Sequence, residues 1–419
     1  MEDLDIKLSN GLDYYKATMG QVEFEKHADA IVTFELKNRS ADKLSDFVSP
    51  EELRDRLVQF QGGWNPDEIA YLASLQAQDG TARFSREYLD FLMDNELPPV
   101  SVALDDSGEL SVKTTGAWPL VTFWETVVMS ELNELYFSKK MLQDGVSLED
   151  LYAEGDRRLS EKIAILKDRP DIKFSDFGTR RRFSYGWQKH VVERLAAELP
   201  DSFVGTSNIA LANELGLTPI GTFAHEMPMV YAGLVDAEQE NPMFGHNQML
   251  QDWQTTYGGE LSTALTDTFG SEFFFTDFTR EQAREWQSLR HDSGDPIEFG
   301  ERVIEFYEQH EIDPMEKTVV FSDGLNIDTI LQLADHFKGR INLLFGWGTT
   351  LTNDLGVKAN NFVMKAVEVN GVGTVKLSDV AGKHTGSENN VERYIMERDN
   401  VIRLGAEAWR AAQTERTAA

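Results

Sequence analysis

Three consecutive arginines, Arg180, Arg181 and Arg182, stand in a chain whose 71 acidic residues outnumber its 40 basic ones, for a formal net charge of −31. So tight a cationic cluster needs a local reason, and forked guanidinium donors suit phosphate or carboxylate. Two glycine-containing segments, Ser322-Asp-Gly-Leu-Asn326 and Gly346-Trp-Gly-Thr-Thr350, can present backbone N–H groups and a helix N-terminus to a phosphate. Asp267, Asp292 and Asp323 offer oxygen ligands for magnesium or for sugar hydroxyls, although Asp295 and Asp323 would serve equally well as helix N-caps. His225 follows Gly221-Thr-Phe-Ala; a lone histidine is more often a satisfied structural group than a catalyst. Arginines, glycine loops, carboxylates and a histidine together describe a site for a phosphorylated sugar. Asp176-Phe-Gly178 has the letters of a kinase motif, but the other kinase signatures and a full Walker loop are missing.

The elements that must position these residues alternate regularly. Short strands are expected at 172–177, 203–205, 219–223, 261–266, 288–291, 318–322 and 341–345, with helices at 184–199, 207–215, 295–310 and 326–337. Strands alternating with helices imply a parallel sheet, and this number of units favours a closed α/β barrel over a doubly wound open sheet. Each cluster above then falls at the C-terminal end of a strand, where the ends in a parallel barrel converge on one face. Earlier in the chain, Asn65-Pro-Asp-Glu68 reads as an N-cap, a first-turn proline and first-turn acids. The segment from Leu110 to Thr114 reads as an edge strand, and a long apolar helix is expected over 120–137. Strands at 362–369 and 374–377 and a helix over 388–409 close the chain. The expected division is an α+β domain from residues 1–125, joined by 360–419 from the other end, around a barrel of 126–359.

Hydrophobic residues at 41% and aromatics at 11% permit a large packed core. No apolar run is long enough to span a bilayer, and the acidic start, Met1 to Lys7, does not read as a secretory signal. The charge argues against nucleic acid or an anionic membrane as partner. It suits a solvated surface in a salty cytoplasm, the default location. The chain has no cysteine, which excludes disulfides, thiolate metal sites and cysteine nucleophiles.

Several segments resemble the nicotinate phosphoribosyltransferase family in order along nearly the whole chain. They are Leu12-Asp-Tyr-Tyr-Lys-Ala-Thr-Met19, Phe174-Ser-Asp-Phe-Gly-Thr-Arg-Arg-Arg-Phe-Ser184, Gly205-Thr-Ser-Asn208 and Pro219-Ile-Gly-Thr-Phe-Ala-His-Glu226. Leu289-Arg-His-Asp-Ser-Gly-Asp-Pro296, Val320-Phe-Ser-Asp-Gly324, Phe345-Gly-Trp-Gly-Thr349 and Lys376-Leu-Ser-Asp-Val-Ala-Gly-Lys383 complete the set. The resemblance implies a type II phosphoribosyltransferase: an α/β barrel with a second α+β domain built from both chain ends, and a homodimer with shared active sites. It implies nicotinate and phosphoribosyl pyrophosphate as substrates, ATP as co-substrate and Mg2+ as cofactor.

Residue by residue, the resemblance has Tyr15 from the neighbouring subunit and Phe177 stack on the two faces of the nicotinate ring. Arg180 and Arg290 bind the phosphate and the surroundings of the ring. His225 is phosphorylated by ATP, with Asp267 orienting it. Asp292 and Asp323 meet ribose hydroxyls or magnesium, with Asp267 and Asp292 as the metal ligands. Gly324, Gly346, Gly348 and Thr349 cradle the 5′-phosphate. Ser207 lies where nicotinamide-using relatives carry an aspartate, and its hydroxyl can donate to the carboxylate of nicotinate. Arg182 is expected to be solvated or structural, so that its loss is milder than that of Arg180. Two departures from the family pattern stand out: Trp347 between the glycines of the phosphate loop, and Ala381 in place of a frequent proline. The rival readings are a nicotinamide phosphoribosyltransferase, a quinolinate phosphoribosyltransferase, which is usually much shorter, and a non-catalytic phosphate-binding barrel.

Overall fold

The structure, a computed structural model, describes residues 6–380 and 382–417, with side chains as far as residue 412. Ala381 and the acidic start as far as Asp5 lie outside the described residues. The chain divides into two compact units, the first made of residues 1–222, 324–330 and 344–365, the second of 223–323, 331–343 and 366–419.

In the first unit, an antiparallel sheet sets the strand Leu110–Ala117 between Ile31–Asn38 and Val100–Leu104. The Leu110 segment is therefore a central strand and not an edge. Its apolar residues Leu110 and Val112 are buried, which an exposed edge would not require. Phe362–Val369, whose residues 362–365 belong to this unit, lies beside Ile31–Asn38. Asn65 caps the helix Pro66–Ser74 in a full capping box with Glu68, as the sequence indicates. The expected long helix is Trp124–Gln143, preceded by a separate turn at Trp118–Val121. Its buried face carries acids, Glu125 and Glu131, beside Trp124, Val128 and Leu132. Buried carboxylates need partners, and lysine and arginine side chains supply them below. A parallel group sets Phe174–Asp176 against both Phe203–Thr206 and the end of Asn342–Trp347.

One expected strand is missing. Residues 219–223 make only a single bridge, Pro219 to Thr206. Proline has no N–H for a ladder, and Gly221 takes φ 153° where a Cβ would sit 3.1 Å from the backbone nitrogen of Tyr15.

In the second unit, three parallel strands, Thr263–Leu265, Ser288–His291 and Thr318–Phe321, pair in that order. Val372–Gly373 turns back on Glu368 and Val369 as a short hairpin. The expected strand at 374–377 shrinks to a single antiparallel bridge, Lys376 to Thr385, while Leu377 N–H donates to the Thr268 carbonyl at 2.8 Å. The C-terminal helix is two, Glu388–Leu404 and Ala406–Thr417, because Gly405 at φ 78° breaks it. Tyr394, Val401 and Trp409 on these helices pack with Phe269, Phe273, Val375 and Leu377 in one buried cluster. That cluster flanks Lys376 on both sides and fixes the segment that follows Asp267.

Candidate active site

The sequence-predicted site residues fall into two groups, one in each unit. In the second unit the parallel strands end level with one another: Leu265 pairs with Arg290, and Arg290 with Val320. Asp267, Asp292 and Ser322 follow these ends directly. His225, at the head of the helix Glu226–Ala237, meets them. Its Nε2 lies 3.0 Å from Asp292 Oδ2 and 3.5 Å from Asp267 Oδ1, and its Nδ1 lies 2.9 Å from Thr268 Oγ1. Lys376 Nζ reaches the same place, 2.9 Å from His225 Nε2. Asp267 Oδ2 accepts from Ser293 Oγ at 2.7 Å and from Lys376 at 3.2 Å. Arg290 does not point away from the carboxylates: it donates to Asp292 Oδ1 at 2.9 Å and to Ser322 Oγ at 2.8 Å. Asp323, next along, is exposed.

Burial sets the electrostatics. It pulls the His225 imidazole below its ordinary value, because the cation loses solvation; Asp267 opposes this and Lys376 adds to it. Burial therefore favours the neutral ring over its cation. Burial alone would raise both aspartates, but His225 and Lys376 lower Asp267. Arg290 and His225 hold Asp292 well below the carboxylate range. Asp323 goes the other way, raised by desolvation and by the charge of Asp292. His225, Asp267 and Asp292 each offer a ligand atom within 4.8 Å of the others. Asp267 Oδ1 is buried and accepts no hydrogen bond. Two anionic oxygens, one unsatisfied, fit a divalent cation of the magnesium kind.

In the first unit, the chain start pairs with the loop after Phe203–Thr206: Tyr14 N–H donates to the Ser207 carbonyl at 2.6 Å and Ile209 N–H to that of Leu12 at 3.1 Å. This pairing sets Asp13 beside Ser207, whose hydroxyl lies 2.6 Å from Asp13 Oδ1. Ser207 is therefore engaged by an aspartate of its own chain and is not simply free to donate to a ligand. Nor does it cap the following helix; Asn208 does, accepting from Leu211 N–H. Arg180 Nε is 3.4 Å from Asp13 Oδ2 and its Nη1 is 3.5 Å from Glu125 Oε1. The Tyr15 ring lies 5.6 Å from the Arg180 guanidinium in the same chain. Glu125 is lowered to about 2: burial raises it, but Lys16, at 2.7 Å, with Lys365 and Arg180 overcomes that.

Asp176 is structural. It accepts from Gly178 N–H, Gln188 and Thr206, and burial still pushes its carboxyl up to about 6. Arg182 is not solvated: its side chain is 1% exposed, with Glu131 at 3.5 Å and the Asn10 carbonyl as an acceptor. A guanidinium so enclosed cannot be removed mildly. In the glycine loop, a Cβ on Gly346 would stand 2.5 Å from the Phe177 ring, so this glycine makes room for Phe177. Trp347 is fully buried, its indole N–H donating to Thr350 Oγ1 at 2.6 Å and its ring against Phe174. Gly348 precedes the short helix Thr349–Thr352, and Gly324 takes φ 61°, a left-handed conformation that favours glycine.

The chain matches the nicotinate phosphoribosyltransferase (NAPRTase) family over residues 172–401, and the N-terminal domain of that family over residues 12–133. The chain belongs to the nicotinate phosphoribosyltransferase family. A solved nicotinate phosphoribosyltransferase from Porphyromonas gingivalis is 30% identical, with a TM-score of 0.84 over 94% of this chain and 100% of that one. Another from Vibrio cholerae is also 30% identical, with a TM-score of 0.79 over 94% and 93%. The α/β fold with parallel strands and an N-terminal domain is that of the type II phosphoribosyltransferases in this family.

Sequence reasoning missed Asp13, Glu125, Thr268 and Lys376 as members of these groups. Asp13 and Lys376 sit inside the very segments that resemble the family, but spacing along the chain does not say which neighbours they meet. Nothing in the sequence marks Glu125 within an apolar helix except that an acid there must be paired.

Proposed function

We propose that this member of the nicotinate phosphoribosyltransferase family forms nicotinate mononucleotide and pyrophosphate from nicotinate and phosphoribosyl pyrophosphate, coupled to ATP hydrolysis through phosphorylated His225. The observation that carries the coupling is the buried His225 between Asp267, Asp292 and Lys376. Displacing pyrophosphate from C1 builds positive charge on the ribose and negative charge on the leaving group. The ring nitrogen of nicotinate is already a nucleophile, so the transfer needs no strong base, and the histidine is left for a separate task. Both ring nitrogens have partners, Nδ1 Thr268 and Nε2 Asp292 and Lys376. Nε2, the one beside a cation, would give up its contact with Asp292 to take the γ-phosphoryl of ATP, with ADP leaving and water later accepting the phosphoryl. Lys376 offsets the charge that arrives. Asp267 and Asp292 would hold magnesium, which when bound neutralises phosphate charge and polarises the leaving group.

In the other unit, Arg180 would take the substrate's negative charge, Phe177 would stack on one face of the ring with Tyr15 of the neighbouring subunit on the other, and Gly324, Gly346, Gly348 and Thr349 would cradle the 5′-phosphate. The same reading expects a homodimer. The test is purified protein with nicotinate, phosphoribosyl pyrophosphate and magnesium, with and without ATP, followed for the mononucleotide and for acid-labile phosphate on the protein. His225→Asn should abolish ATP hydrolysis and leave a weak ATP-independent transfer. Full ATP coupling in that variant would overturn the assignment, and no mononucleotide from the wild type would overturn the function.

A further inference from the structure

We propose that Asp13 is a specificity-determining residue, which sets through its protonation whether Ser207 and Arg180 favour an anionic or a neutral pyridine. This rests on the reading that Ser207 and Arg180 face the pyridine substituent.

The geometry is a buried three-membered chain. Asp13 and Ser207 are 2% and 3% exposed, their oxygens 2.6 Å apart, and the other oxygen of Asp13 lies 3.4 Å from Arg180 Nε. A hydroxyl has one proton to give. While Asp13 is ionised, it must accept that proton, and Ser207 turns only lone pairs to anything else. Those lone pairs suit the NH2 of an amide and oppose a carboxylate. Ionised Asp13 also shares the charge of Arg180. Once Asp13 is protonated, it can donate to Ser207 Oγ, the serine proton is released towards a substrate carboxylate, and Arg180 is left with Glu125 as counter-ion. Both changes favour nicotinate over its amide.

The charged groups around Asp13 decide where the change falls. Arg180, from the turn Thr179–Arg181, and the hydroxyls of Ser207 and Thr179 stabilise the carboxylate. Glu125, from the helix Trp124–Gln143, opposes it. Asp176, on the strand Phe174–Asp176, is the other raised carboxyl nearby, raised mainly by burial and least by the charge of Asp13. Lys16, next along the chain's own first helix, is taken by Glu125. Burial is the largest influence and leaves Asp13 above the ordinary carboxylate value. Rising pH therefore ionises it and turns the pair against an anion.

The experiment is the ratio of kcat/KM for nicotinate to that for nicotinamide, measured against pH where both pyridine nitrogens are unprotonated. The wild-type ratio should fall about tenfold or more across the Asp13 titration, the scale of one misdirected hydrogen bond. Asp13→Asn, whose amide can donate permanently to Ser207, should hold the ratio high and flat. A flat wild-type ratio, or the same slope in Asp13→Asn (which would point to Asp176), overturns the proposal. If Asp13→Asn does not fold, Ser207→Ala replaces it: the slope should shrink, and an unchanged slope overturns the proposal. Absence of any nicotinate turnover by the wild type would instead sink the proposed function, so the two failures are distinct.

Discussion

Lys376 Nζ stands 2.9 Å from His225 Nε2, although 151 residues separate the two in the chain. An ammonium beside a buried imidazole disfavours its cation, and it marks the position where a charged group on Nε2 would be met by a cation. The lysine arrives on a backbone segment tied to the Thr268 carbonyl and flanked by the buried side chains of Val375 and Leu377. Histidine, lysine and aspartate are thus held by the same piece of core.

The first prediction follows from that contact. In metal-free protein, NMR of labelled histidine should find His225 titrating below an ordinary imidazole, because burial, aided by Lys376, disfavours its cation. The neutral, nucleophilic form is then present above that depressed value and lost as pH falls through it. Lys376→Met should move the titration upwards. An unmoved titration would show that the lysine charge does not reach the ring.

Arg180 and Arg182 should fail in different ways. Arg180→Ala should cost about 2–4 kcal/mol in kcat/KM for nicotinate, the scale of a lost charged partner, while the thermal midpoint changes little. Its side chain is 28% exposed, and Glu125 keeps Lys16. Arg182→Ala should destabilise the fold by about 2–5 kcal/mol, because it empties a fully buried site and unpairs the Asn10 carbonyl, although Arg56 still reaches Glu131 and Glu134. Denaturant unfolding and steady-state kinetics on both variants separate the two effects.

Gly346→Ala tests the glycine loop. The new methyl would stand 2.5 Å from the Phe177 ring, and overpacking of this kind costs about 1–3 kcal/mol. The expected outcome is a raised KM for nicotinate, since Phe177 must move. The thermal midpoint should fall as well, and if Phe177→Leu in the same background fails to restore it, the contact is not its cause.

The charge of −31 predicts a stability that rises with salt, because self-repulsion of the folded state is screened. Thermal unfolding from low to high sodium chloride checks this, and a flat midpoint would count against it.

What the sequence by itself determined is local. The capping box at Asn65, the strand–helix alternation from Phe174 onward, and the clusters at strand ends all follow from residue type and short spacing. Parallel pairing then brings Asp267, Asp292 and Ser322 level without further information. Two expectations failed where tertiary neighbours override local preference: Gly221 packs close to Tyr15 and residues 219–223 make only one bridge, and in residues 374–377 Lys376 bridges Thr385 alone while Leu377 bonds to the Thr268 carbonyl.

Only the tertiary structure decided who partners whom. Asp13 and Ser207 lie 194 residues apart, and a serine read alone is an uncharged donor, whereas beside a buried aspartate its proton is claimed. Lys376 sits in a segment that resembles the family, but nothing along the chain names His225 as its partner. Arg182 read as solvated or structural, and only the fold chose the second, because sequence does not reveal burial. The reason is the same in each case: a polar side chain's chemistry is set by the charges and hydrogen-bond partners enclosed with it, and in a low-dielectric interior those come from whatever segment the packing of apolar residues delivers.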